Sequence, residues 1–174
     1  MKKNKHTLSN TYKLEYGATN HILRYPCEIV VDFWKDIKQL AQDMSKLQRI
    51  YNGTGLAAPQ IGVSLQLIVT IQWKKKWNKM IEIGETVLIN PKIIKHSQTS
   101  FVSEESCLSL PDFIWYVNRS KKIIVEYQDL WGNRKIKEFS DYNAAVVQHE
   151  IDHLHGVLFI DKLVVKNKKN MFNS

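Results

Sequence analysis

The chain has 174 residues, 44% hydrophobic and 24% charged, which is typical of a globular domain rather than a disordered or fibrous chain. Two cysteines are too few for a disulfide framework and favour a reducing compartment. The formal net charge of +8 suits an anionic neighbour such as RNA or a membrane surface without identifying one. No apolar run is long enough for a signal peptide or a bilayer helix. We therefore expect a cytoplasmic protein with no membrane partner, an organellar matrix being the alternative location.

The first predicted elements are an irregular arm and an amphipathic helix. The first thirty residues are interpreted as loosely structured, and residues 1–20 are assigned as an N-terminal arm. Apolar residues then recur at spacings of three and four from Ile37 to Tyr51, which predicts one buried helix face. Asp32 is the predicted N-cap, and Asn52-Gly53 is the predicted end of the helix.

Strands and turns dominate the middle of the chain. Alternating and β-branched residues predict strands, a glycine-containing turn predicts a hairpin, and a run of lysines predicts a solvated turn. In chain order these are the strand Leu65–Trp73, the solvated turn Lys74–Lys79, the strand Thr86–Pro91, and the hairpin of Lys121–Gln128 and Arg134–Phe139 around Trp131–Asn133. A basic-aromatic RNA patch is the alternative interpretation of the lysine-rich turn.

The last predicted element is a helix from Tyr142 to His155, capped by Asp141 and ended by Gly156. It is apolar on nearly every side, so we expect it at the centre of the fold. No internal repeat or domain boundary is visible. The predicted fold class is α+β: a single domain over residues 21–163, with antiparallel or mixed β-sheets packed around this helix. A basic flexible tail over residues 164–174 is expected to follow.

The predicted central helix carries the sequence His149-Glu-Ile-Asp-His153. Histidines four residues apart lie on the same helix face, so both imidazoles can reach one metal ion. A carboxylate beside the first ligand, here Glu150, can accept a proton from water that the ion activates. Burying these groups without a partner would be costly, which favours a metal-binding helix over a chance pair of histidines.

Cys107 is the candidate third ligand, because a hydrolytic metal centre uses three protein ligands and keeps one position open. It lies in Glu104–Pro111, which is predicted to be irregular, and one cysteine with two histidines is a catalytic zinc set. Cys27 is interpreted instead as a small buried hydrophobic residue. The glycine-rich segment Gly53–Gln60 lets the backbone approach another group closely. Its last side chain, Gln60, can donate hydrogen bonds to a developing oxyanion.

Together these segments resemble the peptide deformylase family. Its glycine-spaced run ending in Ala-Ala-Pro-Gln is similar to Gly53–Gln60, its Glu-Gly-Cys-apolar-Ser motif to Glu105–Ser109, and its His-Glu-x-x-His motif, preceded by Gln, to Gln148–His153. The three motifs occur in the family's order, and the likeness extends over roughly residues 20 to 163.

The resemblance implies a metal-dependent hydrolase that removes the formyl group from the N-terminal formyl-methionine of nascent peptides and releases formate. It implies that Cys107, His149 and His153 bind one divalent ion, with Fe2+ expected and Zn2+ or Ni2+ as alternatives. Glu150 would act as general acid and base. The implied partners are N-formylmethionyl nascent peptides, with ribosome contact through the basic surface, and the enzyme is expected to be a monomer.

The same resemblance assigns the rest of the cleft. Gln60 and the backbone N–H of Leu108 would hold the oxyanion, and Gly55 and Ser106 would contact the substrate. Ser106 stands where the family usually has glycine, so an added side chain would crowd the cleft. Thr54 replaces a usual aliphatic residue and would make the rim more polar.

The sequence alone leaves alternative functions open. One is a deformylase-like protein with weak or altered activity because of Ser106, and another is a non-catalytic homologue that binds RNA or ribosomes. A metal-dependent peptidase would take its third ligand after the second histidine, where His155 is only two residues on. Arg119 is either a hydrogen-bonding partner of Glu105 or a solvated surface residue.

Overall fold

The structure is a computed structural model that describes residues 12–33 and 35–164. Residues 1–11 of the predicted arm and 165–174 of the predicted tail lie outside this range. The helices and strands are, in chain order, α1 (Lys35–Ile50), β1 (Gly55–Ala57), β2 (Leu67–Lys76), β3 (Lys79–His96), β4 (Ser100–Cys107), β5 (Leu110–Ser120), β6 (Lys122–Gln128), β7 (Arg134–Ser140) and α2 (Asp141–Leu154). No helix in the described part of the chain is both long enough and apolar enough to cross a membrane.

Five strands form one antiparallel sheet in the order β1-β2-β3-β6-β7. Alternate residues of β2 face opposite sides of this sheet, so Leu67 and Val69 pack with α1, while Ile68 packs with α2. The sheet therefore lies between the two helices, with a hydrophobic cluster on each face. The predicted α+β class is confirmed, and the strand pairings of this sheet are antiparallel rather than mixed.

The remaining two strands, β4 and β5, form a separate antiparallel hairpin. The prediction of an irregular segment at Glu104–Pro111 is wrong, because β4 continues to Cys107 and β5 begins at Leu110. From Ser103 onward every second residue of β4 is buried, but the buried residues before Cys107 are Ser103 and Glu105. Polar residues facing inward hide the period-two pattern that would have predicted a strand.

The ends of several elements differ from their predicted positions. Helix α1 begins at Lys35, so Asp32 is too far from its first turn to be the N-cap. Strand β2 extends to Lys76, and the turn after it is confined to Trp77 and Asn78. The N-cap of α2 is Ser140 rather than Asp141. The predicted hairpin of β6 and β7 is confirmed.

Helix α2 is buried along most of its length, as predicted. The side-chain amide of Gln148 joins it to β5: Oε1 accepts the Ser120 N–H at 3.1 Å, and Nε2 donates to the Ser120 carbonyl at 3.0 Å. After the helix, Gly156 adopts φ +71, and a Cβ there would lie 2.5 Å from the Arg24 carbonyl carbon. Only glycine fits this crossing of two backbones.

The described part of the predicted arm packs against the domain. Leu14, Leu23 and Cys27 are buried, and the Cys27 N–H donates to the Leu154 carbonyl at 2.8 Å. The expectation of a loosely structured segment is therefore wrong from about residue 14 onwards. The interpretation of Cys27 as a buried hydrophobic residue is confirmed, and burial raises the pKa of its thiol to about 11.

Candidate metal centre and active-site cleft

Cys107, His149 and His153 come together at one buried point. Cys107 is the last residue of β4, whereas the histidines are one turn apart on α2. One ligand atom from each residue lies within 4.8 Å of the other two, and Cys107 Sγ is 3.3 Å from His153 Nε2. The fold therefore assembles the three predicted ligands from two elements that are distant in sequence.

A buried ionic network orients the first histidine. Glu105 Oε2 accepts a hydrogen bond from His149 Nδ1 at 2.9 Å, and both Glu105 oxygens accept from Arg119 at 2.7 and 2.8 Å. Arg119 also pairs with Asp152 at 2.5 Å. Burial raises the pKa of the Glu105 carboxyl, but the hydrogen bonds from Arg119 and His149 outweigh burial and lower this pKa to about 2. Because Glu105 is ionised, His149 Nδ1 carries the proton and its Nε2 is left to bind a metal.

Arg119 is thus the partner of Glu105 and not a surface residue, since only 3% of it is exposed. The pairing of Arg119 with Asp152 was missed at the sequence level. Asp152 lies between the two histidines of the motif, one residue before His153. The network therefore connects the turn of α2 that carries both histidines to β4 and β5.

The two histidines of the ligand group have pKa values that are shifted in opposite directions. Burial lowers the pKa of His149, but contacts with Cys107 and Glu105 outweigh it and raise that pKa well above its usual value. His153 is different, because burial and the charge of His149 lower its pKa and favour the neutral imidazole that binds metals. A thiol and two imidazoles whose ligand atoms lie within 4.8 Å of one another fit a divalent metal ion.

Gln60 supports the thiol from the side of the glycine-rich segment. Its Oε1 accepts the Ala57 N–H at 2.8 Å, which fixes the orientation of the amide. Its Nε2 then donates to Cys107 Sγ at 3.5 Å and to Ser109 Oγ at 3.2 Å. Both donors are engaged, so binding an oxyanion would require the exchange of one of these hydrogen bonds.

Glu150 lies beside the ligands, with its carboxylate buried against β1. Burial raises the pKa of this carboxyl to about 7. Its Oε2 has no hydrogen-bond partner among the described residues. A Cβ at Gly55 would lie only 2.8 Å from Glu150 Cγ and Cδ, and nearer still to Oε1. Gly55 is therefore required for the carboxylate to occupy this position.

A cleft of about 500 Å³ opens onto this site. Seven of the eight predicted site residues line it, namely Gly55, Gln60, Ser106, Cys107, Leu108, His149 and Glu150. The eighth, His153, is buried and does not line the cleft. A smaller cavity of about 100 Å³ adjoins the cleft, and both are lined by Thr54, Ser106, Tyr142, His149 and Glu150. The Tyr142 hydroxyl is 3.3 Å from Thr54 Oγ1 at this shared wall.

His155 and Ser109, which lie close in sequence to the ligands, make contacts outside the ligand group. His155 does not join the ligand group, because its Nδ1 is 2.8 Å from the Ile151 carbonyl. The third ligand of a peptidase of the kind considered above is therefore not His155. Ser109 was missed as a partner of Gln60, although its place two residues after Cys107 in the second motif was a signal.

The chain is similar in sequence to known deformylases. Residues 14–169 match a family model described as polypeptide deformylase. Peptide deformylase 1 of Bacillus cereus is 39% identical over 151 residues, which cover 87% of this chain and 92% of that protein.

Two solved structures are similar to the whole domain. The crystal structure of peptide deformylase from Thermotoga maritima has a TM-score of 0.77 and 34% identity, covering 88% of this chain and 98% of the other. The Met-ala-ser bound class I type b peptide deformylase from Acinetobacter baumannii has a TM-score of 0.81 and 30% identity. The match covers 87% of this chain and 97% of the other.

Proposed function

Because the chain belongs to the peptide deformylase family, whose members are metal-dependent hydrolases that remove the formyl group from nascent peptides, we propose that the 500 Å³ cleft is its active site. The observation that carries this proposal is the convergence of Cys107, His149 and His153 beside the buried carboxylate of Glu150. The contacts of each residue support the role that we propose for it.

Cys107, His149 and His153 would hold one divalent ion. When bound, the ion would polarise the formyl carbonyl and lower the pKa of a water molecule towards neutrality. We propose Fe2+ as the ion, with Zn2+ and Ni2+ as alternatives, because the set combines a soft thiolate with two imidazoles. The hydrogen bond from His149 Nδ1 to Glu105 keeps the imidazole in the tautomer and orientation that this role needs.

Glu150 would take a proton from the attacking water and pass it to the departing amine nitrogen. Its position supports both steps, because the carboxylate lines the cleft next to His149 and its Oε2 is unpaired within the described residues. Gly55 leaves the space that this carboxylate occupies.

Gln60 and the backbone N–H of Leu108 would donate hydrogen bonds to the formyl oxygen as negative charge develops on it. Both residues line the cleft. The Gln60 amide would exchange its hydrogen bond to Ser109 for one to the oxyanion, while Ala57 keeps the amide oriented.

The substrate backbone would lie between Gly55 and Ser106. Within the described part of the chain, strand β1 is at the edge of the five-stranded sheet and pairs with β2 alone. Gly55 and Ser106 both line the cleft, so an extended peptide can add to this edge by backbone hydrogen bonds. The hydroxymethyl group of Ser106 would narrow the space for the first substrate residues.

The test is formate release from a formyl-methionyl tripeptide under anaerobic conditions, with bound metal quantified. We expect Glu150→Gln to lower kcat by about 100-fold or more, since general acid–base catalysis typically contributes 10²–10⁴-fold. Glu138→Gln, which changes an exposed carboxylate on β7, is the matched control and should retain full activity. Absence of formate release from metal-loaded protein, or full activity of the Glu150 variant, would contradict the proposal.

We further propose a monomeric enzyme in the cytoplasm that contacts ribosomes through its basic surface. Nascent peptides are found where ribosomes work, and a thiolate ligand such as Cys107 requires a reducing compartment. Sedimentation of the purified protein, alone and with ribosomes, tests the oligomeric state and the ribosome contact.

A further inference from the structure

The end of the β2–β3 hairpin extends away from the body of the protein. Every residue from 74 to 85 is exposed. We call residues 74–81 the hairpin tip. At about 3.4 Å per residue, Trp77 lies roughly 14 Å beyond Trp73, the last partly buried residue of β2. The tip therefore contributes little to the hydrophobic core, and its composition is free to serve another purpose.

The hairpin tip carries four uncompensated positive charges. Lys74, Lys75, Lys76 and Lys79 form no ion pair within residues 12–33 and 35–164. The acids at the base of the hairpin do not neutralise them. Glu82 pairs with Arg49 at 2.7 Å, and Glu85 lies 3.5 Å from the same guanidinium. The tip thus concentrates a charge of +4 in a chain whose net charge is +8.

Trp77 stands at the apex of these lysines. It is 87% exposed, the highest exposure of any large hydrophobic residue in the described chain. Its φ of +56 is in the left-handed region, which a bulky side chain rarely adopts. An exposed indole surrounded by lysines combines a flat stacking surface with charges for phosphate groups, the two features with which proteins bind single-stranded nucleic acid.

The base of the hairpin adjoins the mouth of the cleft on two sides. The Asn143 side chain accepts the Trp73 N–H at 2.9 Å and donates to the Trp73 carbonyl at 2.8 Å, and its neighbour Tyr142 lines the cleft. On the other side, Arg49 pairs with Glu82, and Tyr51 two residues later also lines the cleft. A partner held by the hairpin tip would therefore lie near the entrance used by the peptide substrate.

The distribution of lysines favours RNA over a membrane surface. In the register of the hairpin, Lys74 is opposite Ile81, Lys75 opposite Met80, and Lys76 opposite Lys79. Because successive strand residues point to opposite faces, lysines occur on both faces of the tip. A segment that lies on a membrane segregates its apolar and charged residues, whereas a flexible phosphodiester chain can pass around the tip and contact both faces.

We propose that the hairpin tip, through Lys74, Lys75, Lys76, Lys79 and Trp77, binds single-stranded RNA segments next to the entrance of the active-site cleft. This assigns the proposed ribosome contact to a particular surface and rests on that part of the proposed function. It depends on no residue role inside the cleft.

The test is fluorescence anisotropy of the full chain with a labelled 12-nucleotide RNA of mixed sequence, titrated over a range of salt concentrations. Four phosphate contacts at about −0.7 each correspond to a contribution of about −3 to the slope of log K against log salt. We expect the quadruple variant with Lys74, Lys75, Lys76 and Lys79 changed to alanine to lose this contribution. Trp77→Ala should weaken binding about 5- to 150-fold, as expected for the loss of one stacked base, with the slope unchanged.

In the matched control variant, four lysines that do pair with acids are changed to alanine: Lys46, Lys121, Lys122 and Lys135. It has the same net charge as the tip variant and should keep most of the affinity and the slope. Equal losses in both quadruple variants would overturn the proposal in favour of non-specific charge. Tighter binding of the tip to vesicles of anionic lipid than to RNA would overturn it in favour of a membrane.

Deformylation of a free formyl-methionyl tripeptide should be unchanged in all these variants. This readout separates the two proposals, because RNA binding can fail while activity remains, and activity can fail while RNA binding remains. A tip variant that loses both has unfolded, in which case the single change Trp77→Ala and its salt slope decide the matter.

Discussion

Gly55→Ala tests whether the position of the Glu150 carboxylate limits turnover. The added Cβ would lie 2.8 Å from Glu150 Cγ and Cδ, whereas ordinary van der Waals contact begins near 3.4 Å. The carboxylate must therefore retreat by at least about 0.6 Å, and by more where Oε1 is closest. A displacement of about 1 Å in a reacting group can cost about 100-fold in rate. We expect kcat to fall by roughly this factor, with the ligands Cys107, His149 and His153 still able to hold metal.

The assay is formate release at saturating formyl-methionyl tripeptide, with metal content measured on the same sample. Gly84→Ala is the matched control: open space surrounds Gly84, but its φ of +137 strains any other residue. It should lower Tm by a few degrees and leave kcat unchanged. A Gly55 variant that retains full metal and a kcat within about threefold of wild type would refute the reasoning. Loss of metal in that variant would show that the substitution acts on the ligands rather than on Glu150.

Three further predictions follow from the surroundings of the site. Arg119→Met leaves Glu105 buried without its main partner, so the free energy of unfolding should fall by about 3–5 kcal/mol and a chelator should remove metal about 10–100 times more effectively. Denaturant unfolding and chelator competition measure these effects, and a stable variant with normal metal retention would contradict them. The pKa of Cys27 is raised from 9.0 to about 11, so its thiolate population at pH 8 is about a hundredfold below that of a free thiol. Alkylation at residue 27, measured by peptide mass mapping, should therefore be slow until the protein unfolds. Ser106→Gly opens the cleft beside Cys107, and we expect KM to fall severalfold with unchanged metal retention; an unchanged or higher KM would mean that the serine does not crowd the substrate.

The sequence predicted α2 and the shared face of its two histidines well because the relevant signals are local. Histidines four residues apart share a helix face whatever surrounds them, and Ser140 and Gly156 bound the helix within one or two residues of the predicted ends. The bond between Glu105 and His149 is different, since it joins residues 44 apart in sequence. Such contacts depend on how β4 packs against the helix, and a local sequence pattern carries no information about that packing.

Strand β4 shows why part of the site was harder to predict than the helix. Its inward positions before Cys107 are filled by Ser103 and Glu105, and the Glu105 carboxylate is buried in an ion pair with Arg119. A search for alternating hydrophobic residues fails at such a strand, because the function of the site has replaced the apolar side with polar residues. The same argument explains why the short β1 was predicted only as a glycine-rich segment: Gly55 is selected by contact with Glu150 rather than by strand propensity.

The contacts of Gln148 and Gly156 fix the rotation of helix α2 about its axis and its position along that axis. The paired hydrogen bonds from the Gln148 amide to Ser120 resist rotation of the helix about its axis. The backbone crossing at Gly156 and Arg24 limits translation along that axis. One inserted residue between these two contacts would add about 1.5 Å of length and 100° of rotation, so they could not both be kept. The spacing from Gln148 to Gly156 is therefore intolerant of insertions, although much of that segment is regular helix.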